Sequence, residues 1–254
     1  MSWRIVVISR SAKLDYKLDY MIVRQEEITK IHLSEISMLI IESTAVSLTA
    51  SLLSELTKRK IKTIFCDEKR NPSSELISYY GSHDTSAKVR KQIIWSKEVK
   101  TEVWTEIVTE KIRNQRNFLK KLNKMEYKLL DDYIEQVQIG DSTNREGHAA
   151  KVYFNALFGV KFTRTSDCPI NAALNYGYGL LLSAFNREIV ANGYITQLAL
   201  FHDNMFNPFN LGSDLMEPFR ILVDRRVIKL LPEKFEHDEK MFMVDLLNQE
   251  IVID

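Results

Sequence analysis

Three short stretches of this chain carry residues that could do chemistry together. Arg145-Glu146-Gly147-His148-Ala149-Ala150 supplies a carboxylate and an imidazole, Phe201-His202-Asp203-Asn204 a further histidine, and Ser213-Asp214-Leu215-Met216-Glu217-Pro218 a pair of acids. One histidine with two or three carboxylates, and no cysteine beside them, is a ligand set for a hard divalent ion such as Mg2+ or Mn2+ rather than for structural zinc. A hard ion held by oxygens points in turn to phosphate chemistry.

Each of these residues also has an ordinary reading. Glu146 falls in the first turn of a helix predicted to begin near Arg145, where the helix dipole favours a carboxylate whatever its function. Ala149, Ala150, Tyr153 and Phe154 pack that helix closely, so Glu146 projects beside a core. His148 lies two positions on, about 200° around the helix, and is left out of the ligand set. His202 opens a polar, turn-prone stretch, and a lone histidine is more often a hydrogen-bonded surface group than a ligand. Loops on a rigid helical scaffold are nevertheless where functional side chains concentrate. Asp214 and Glu217 stand at i and i+3, which turns them the same way on a short helix. An acid pair at a helix start is the ordinary meaning of that spacing.

The elements that must position these residues change character along the chain. Residues 4–9, 13–17, 20–24, 28–32 and 37–41 are short runs rich in Val, Ile, Leu and Tyr, which predict strands. Val46, Leu48, Leu52, Leu53 and Leu56 follow helical spacing, and residues 62–65 return to strand. Asn71-Pro72-Ser73-Ser74 reads as a boundary, with a serine placed to cap a helix from Glu75. Beyond it the pattern is helical, with Trp95, Val99, Val103, Ile107, Ile112, Leu119 and Leu122 forming a long apolar stripe. Gly140 to Asn144 and Asp167-Cys168-Pro169 break it, and residues 174–190 are the most apolar helix. The expectation is an α+β chain, with a small N-terminal β-rich domain at 1–72 followed by a larger all-α domain at 73–254.

Composition narrows the function classes. Hydrophobic residues make up 45% of the 254 and charged residues 27%, ordinary for a globular protein with a sizeable core. The net charge of +1 conceals an uneven distribution, because residues 88–124 hold eleven Lys or Arg against four Glu. Such a run is most often a solvated helical face and becomes a nucleic-acid stripe only when other motifs ask for one. Cys66 and Cys168 are too few for a disulfide framework and lie in no metal-ligand spacing, as expected in a reducing cytoplasm. The residues from Met1 lack a signal peptide's apolar stretch and no run of eighteen apolar residues occurs, so a soluble cytoplasmic protein is expected. Eight glycines without a phosphate-binding loop or dinucleotide fingerprint argue against ATP-driven or NAD-dependent chemistry.

Taken together, Glu146 before Ala149-Ala150 and Tyr153-Phe154, the run Asn171-Ala172-Ala173-Leu174-Asn175-Tyr176-Gly177-Tyr178, and the segment from His202 to Arg220 resemble the CRISPR-associated integrase that captures new spacers, in its type II-A variant. The resemblance runs through nearly the whole chain; one departure is Ile221 after Arg220, where relatives commonly carry proline. It implies that Glu146, His202 and Glu217 hold the catalytic Mg2+ or Mn2+, with Asp214 in contact with the ion or just behind its ligands. It further implies that the helical domain is catalytic and the β domain dimerises. The expected function is insertion of short foreign DNA fragments into a CRISPR array by metal-dependent transesterification, in antiviral adaptation. Expected partners are double-stranded DNA (spacer precursor and repeat), a second copy of the chain, and a small ferredoxin-like adaptation subunit completing a hetero-hexamer. The type II-A effector nuclease and a ring-shaped accessory protein are implied as well, and no membrane. Two rival readings are a hydrolytic DNA repair nuclease and a non-catalytic DNA-binding scaffold.

Overall fold

In the computed structural model, residues 4–78 and 82–248 are described. The first compact unit is built on the residues up to His83 and the second on Asp84–Ile189 and Gly193–Leu246. The first holds β1 (Arg4–Ile8), β2 (Ala12–Lys17), β3 (Tyr20–Arg24), β4 (Ile28–His32), β5 (Ile36–Ile41), β6 (Val46–Leu48), α1 (Ala50–Lys58), β7 (Lys62–Cys66) and β8 (Pro72–Leu76). One sheet has the order β1-β5-β7-β8, with β1, β5 and β7 parallel and β8 antiparallel. The other has the order β4-β3-β2-β6. Its members β4, β3 and β2 are antiparallel, and β6 runs parallel to β2. Leu14, Met21, Leu33, Ile36, Leu39, Leu52 and Leu56 bring both sheets and α1 into one core. β5 is buried along almost its whole length, which is why Ile-Ser-Met-Leu-Ile-Ile reads as a continuous apolar run rather than an alternation.

Two elements differ from expectation. The helical spacing that began at Val46 covers a strand, β6, and the helix starts only at Ala50, where the Thr49 hydroxyl accepts from the Leu52 amide. The helix expected from Glu75 is the edge strand β8, which opens on Pro72 at a position where a missing N–H is harmless. The Glu75 carboxylate pairs with the Lys62 ammonium, and both side chains are almost fully buried. That pair joins β8 to β7, so the β unit extends beyond the expected boundary at residue 72.

The second unit holds α2 (Thr85–Ile93), α3 (Lys97–Lys121), α4 (Tyr127–Glu135), α5 (Arg145–Phe158), α6 (Pro169–Ala191), α7 (Asn210–Leu215), α8 (Arg220–Leu230) and α9 (His237–Val244). The expected apolar stripe of α3 holds at Ile112 and Leu119, which are fully buried, and fails toward the start of the helix. Val99 and Val103 are 51% and 39% exposed, while Trp104, Val108, Lys111, Ile112, Gln115, Phe118 and Leu119 are buried. In the first half of the helix the inner face is displaced from Val99 and Val103 by about one residue or 100°, to Trp104 and Val108, which buries the larger ring.

The start of α5 is fixed from several sides. Asn144, in the left-handed region at φ 52°, accepts from the Gly147 amide, and the Asp141 carboxylate accepts from the amides of Arg145 at 2.7 Å and Glu146 at 3.0 Å. The preceding loop docks on α3, where the Gly140 amide donates to the Thr105 hydroxyl at 2.7 Å. A Cβ at Gly140 would meet Thr101 at 2.8 Å, and its φ of +70° also favours glycine. α7 in turn lies close on α6, where a Cβ at Gly212 would meet the Asn186 side chain at 2.3 Å. Among the described residues no helix is long and apolar enough to cross a membrane.

Candidate active site

The residues expected to act together lie on four elements of the second unit. Glu146 stands in the first turn of α5, His202 in the loop before α7, Asp214 near the end of α7, and Glu217 at the start of the 3-10 turn Glu217–Phe219 that leads into α8. Asp214 and Glu217 therefore straddle a helix end instead of sharing one short helix. The Asn114 side-chain amide of α3 donates to the Pro218 carbonyl at 3.1 Å and holds this turn in place.

The structure assembles two pairs. The Glu146 and Glu217 carboxylates meet on a single cation, the Lys111 ammonium of α3, which hydrogen-bonds both. The other Glu217 oxygen accepts from Arg220, at 2.9 Å from Nε and 2.8 Å from Nη2. Burial alone would raise the Glu217 carboxyl, but Lys111 and Arg220 beside it hold it below the usual glutamate value.

Asp214 and His202 form the second pair. The Asp214 carboxylate is fully buried and accepts from the amides of Leu200 and Phe201 at 2.8 Å each, from the amide of His202 at 3.4 Å, and from His202 Nδ1 at 2.5 Å. One side chain thus folds the loop and fixes the ring, committing Nδ1 as the donor and leaving Nε2 as the free lone pair. The bond to Asp214 raises the imidazole above its usual value against the opposing effect of burial, and the negative charges of Glu217 and Glu146 add to the rise. Trp104 stacks on Phe201 at 4.5 Å and meets the His202 ring edge-on at 5.3 Å, which walls the loop on its α3 side.

His202 feels the charge of both glutamates, but among the described residues no hydrogen bond or ion pair links it to either. Nor do three or more His, Cys, Asp or Glu side chains of those residues stand arranged to hold a metal ion. The cation between the two glutamates is the protein's own lysine. As donors, the two glutamates and a histidine with Nε2 free are nonetheless chemically suited to a hard divalent ion, and the carboxylate pair already converges on one positive charge.

Three further residues of the site carry no motif in the sequence. Lys111 belongs by sequence to the basic run of 88–124, but its side chain is only 10% exposed and faces inward. Its signal was a charged residue on the stripe that carries Trp104, Val108 and Ile112. Arg113 and Arg116 of the same run are paired with Glu110 and Asp131, and Lys120, Lys121 and Lys124 are exposed.

The other two are Arg220 and Asp224. The Arg220 guanidinium lies over the Tyr178 ring at 4.6 Å, and the hydroxyls of Tyr178 and Tyr153 donate to the buried Asp224 carboxylate at 2.5 and 2.9 Å. Burial pushes the Asp224 carboxyl up to about 6 in spite of the two tyrosine bonds. Between its ordinary value of 3.8 and about 6, the folded protein keeps a proton that the unfolded chain has released, so this group's contribution to stability falls as pH rises through that window. Thermal unfolding of the wild type and Asp224→Asn from about pH 4 to pH 7 checks this. The stability difference, wild type minus variant, should decline by on the order of 3 kcal/mol over that range. A constant difference would contradict a buried, protonatable Asp224.

Comparison with known proteins assigns the chain. The sequence model of the family described as CRISPR associated protein Cas1 matches residues 5–249. The CRISPR-associated endonuclease Cas1 of Neisseria meningitidis serogroup C (strain 8013) is 37% identical over 232 residues, 91% of this chain and 76% of that protein. A Cas1 protein structure from Thermotoga maritima superimposes with a TM-score of 0.80 at 20% identity, covering 97% of this chain and 89% of that one. A casposase bound to integration product has a TM-score of 0.76 at 17% identity, covering 97% and 82%, and with the preceding structure it establishes a shared fold. On the family match and the 37% relative together, the chain belongs to the CRISPR-associated Cas1 family.

Proposed function

We propose that this chain is a metal-dependent DNA integrase and endonuclease of CRISPR adaptation, in the type II-A variant. The observation that carries the reading is the convergence of Glu146 and Glu217 on one cation, beside a histidine whose tautomer Asp214 fixes. The Neisseria relative is named an endonuclease and the casposase structure holds an integration product, and both support the same chemistry.

Glu146, Glu217 and His202 through Nε2 would hold Mg2+ or Mn2+, and Asp214 orients His202. When bound, the ion supplies Lewis-acid stabilisation of the charge that builds on the phosphate and on the attacking and leaving oxygens. In the transesterification the 3′-hydroxyl oxygen of a short incoming duplex forms a bond to a target phosphorus. The P–O bond to the target strand breaks, and the proton lost by the attacking hydroxyl ends on the departing 3′-oxygen. Water in place of the hydroxyl gives hydrolytic cleavage at the same site. Arg220 and Lys111 keep Glu217 ionised, and Arg220 is itself positioned by Tyr178. The exposed Lys120, Lys121 and Lys124 offer contacts to duplex phosphates, which position DNA without reading its sequence.

The partners that fit this reading are double-stranded DNA, a second copy of the chain and a small ferredoxin-like adaptation subunit in a hetero-hexamer, alongside the type II-A effector nuclease and ring-shaped accessory protein. A capture assay with labelled duplex, supercoiled target, manganese and the small subunit tests it. Joined product is the expected result. Cleavage without joining would assign a hydrolytic nuclease, and affinity without either reaction a scaffold.

A further inference from the structure

We propose that Lys111 is a built-in counter-cation of the carboxylate pair, which holds Glu146 and Glu217 together in the metal-free protein and is displaced from between them when a divalent ion is taken up. The second half of this inference rests on the metal-dependent reading above; the first half does not.

The Glu217 side chain is 6% exposed and that of Glu146 27%, so two carboxylates brought this close would repel strongly without a neutralising charge. Lys111 supplies that charge from a side chain 10% exposed, set among Trp104, Val108 and Ile112 on the buried stripe of α3. A lysine in such surroundings is costly unless paired, and here both of its partners come from other elements. Arg220 occupies the remaining Glu217 oxygen, so the two cations balance the two acids.

A divalent ion bound by the same two carboxylates must come within about 2.0–2.6 Å of their oxygens, the space the ammonium fills. Two cations cannot share that gap, because their repulsion in a partly desolvated site would exceed what the same pair of acids returns. The flexible four-carbon stem of a lysine allows the ammonium to swing aside, which a rigid guanidinium fork would not. Lys111 thereby keeps the ligands in place before the ion arrives and sets a threshold concentration for its uptake.

The test compares wild type, Lys111→Met and the double variant Lys111→Met/Glu146→Gln. Melting is measured in chelator, and Mn2+ affinity by calorimetry or by the paramagnetic signal of free ion. In chelator, Lys111→Met should melt below wild type, and the double variant should recover part of the loss because it removes the repulsion that Lys111 had neutralised. Lys111→Met should bind Mn2+ more tightly than wild type, on the order of tenfold, through the absence of a competing charge. If the single variant fails to fold in chelator, recovery of folding in the double variant carries the same information. Unchanged metal-free melting, or a double variant no more stable than the single one, would overturn the counter-cation role. Equal or weaker Mn2+ binding by well-folded Lys111→Met would overturn displacement while leaving the metal-dependent reading intact. Absence of Mn2+ binding to wild type and variant alike would overturn that reading, together with displacement, but not the metal-free result.

Discussion

Glu217→Gln is expected to lower strand joining by roughly 10²- to 10³-fold or more, while affinity for duplex DNA stays nearly unchanged. The substitution keeps the shape of the side chain and one acceptor oxygen but removes the charge that, on this account, holds the metal. Groups that act on developing charge in the transition state have effects of this size. Affinity is governed instead by phosphate contacts spread over the surface, so it is insensitive to one buried acid. Glutamine is preferred to alanine because Glu217 is buried between Lys111 and Arg220. Truncation would take the carboxylate from Arg220 and leave Lys111 with Glu146 alone, a penalty of about 3–5 kcal/mol for a broken buried pair, and confound loss of chemistry with loss of fold. With glutamine the expected stability loss is about 1–3 kcal/mol. Joining, affinity and melting temperature measured on one preparation separate the cases, and retained joining by folded Glu217→Gln protein would refute its role.

Asp214→Ala should have the second largest effect, and by a different route. Both carboxylate oxygens are engaged by the protein itself, gathering three backbone amides and the His202 ring. Removal of the carboxylate leaves those donors without their acceptor, at about 1–3 kcal/mol for each one that stays dry, so an overall loss on the order of 3–5 kcal/mol is expected. Joining should fall by about 10- to 100-fold at temperatures where the variant is folded, the usual effect of removing a group that orients a metal-binding histidine. The distinguishing readout is the His202 titration followed by NMR. The bond to Asp214 is the main cause of its raised pKa, so the pKa should drop in the variant. Asp214→Asn, which keeps one acceptor oxygen, should recover part of the stability and less of the titration shift. An unchanged His202 titration in Asp214→Ala would contradict the positioning role.

Much of the fold was legible because local pattern and tertiary structure agree. β1, β2, β3, β4 and β5 fall on the predicted strands within a residue or so, and the start of α5 at Arg145 follows from the turn residues before it. The errors arose where short polar segments are governed by their neighbours. Pro72–Leu76 carries few β-forming residues and is a strand because β7 offers it an edge and Lys62 offers Glu75 a buried partner. On α3, apolar periodicity could not choose the inner face of the first half, and the face that carries Trp104 and Val108 also turns Lys111 inward.

At the site, the residue types of Glu146, His202, Asp214 and Glu217 point to phosphate chemistry, and the family resemblance divides their roles. What spacing could not show is the wiring. Asp214 is bound to the loop before it instead of standing beside Glu217 on one helix face. Lys111, Arg220, Tyr178 and Asp224 form a support behind the acids that involves α3, α6 and α8, and contacts between distant elements leave no local signature in sequence.

The most direct measurement of the central claim is anomalous scattering from manganese in crystals of this protein. The account predicts a manganese peak bounded by Glu146, Glu217 and His202 Nε2 at coordination distances of about 2.0–2.3 Å, with the Lys111 ammonium moved out from between the two carboxylates. Manganese bound elsewhere, or a site at saturating manganese in which Lys111 still bridges Glu146 and Glu217, would contradict it.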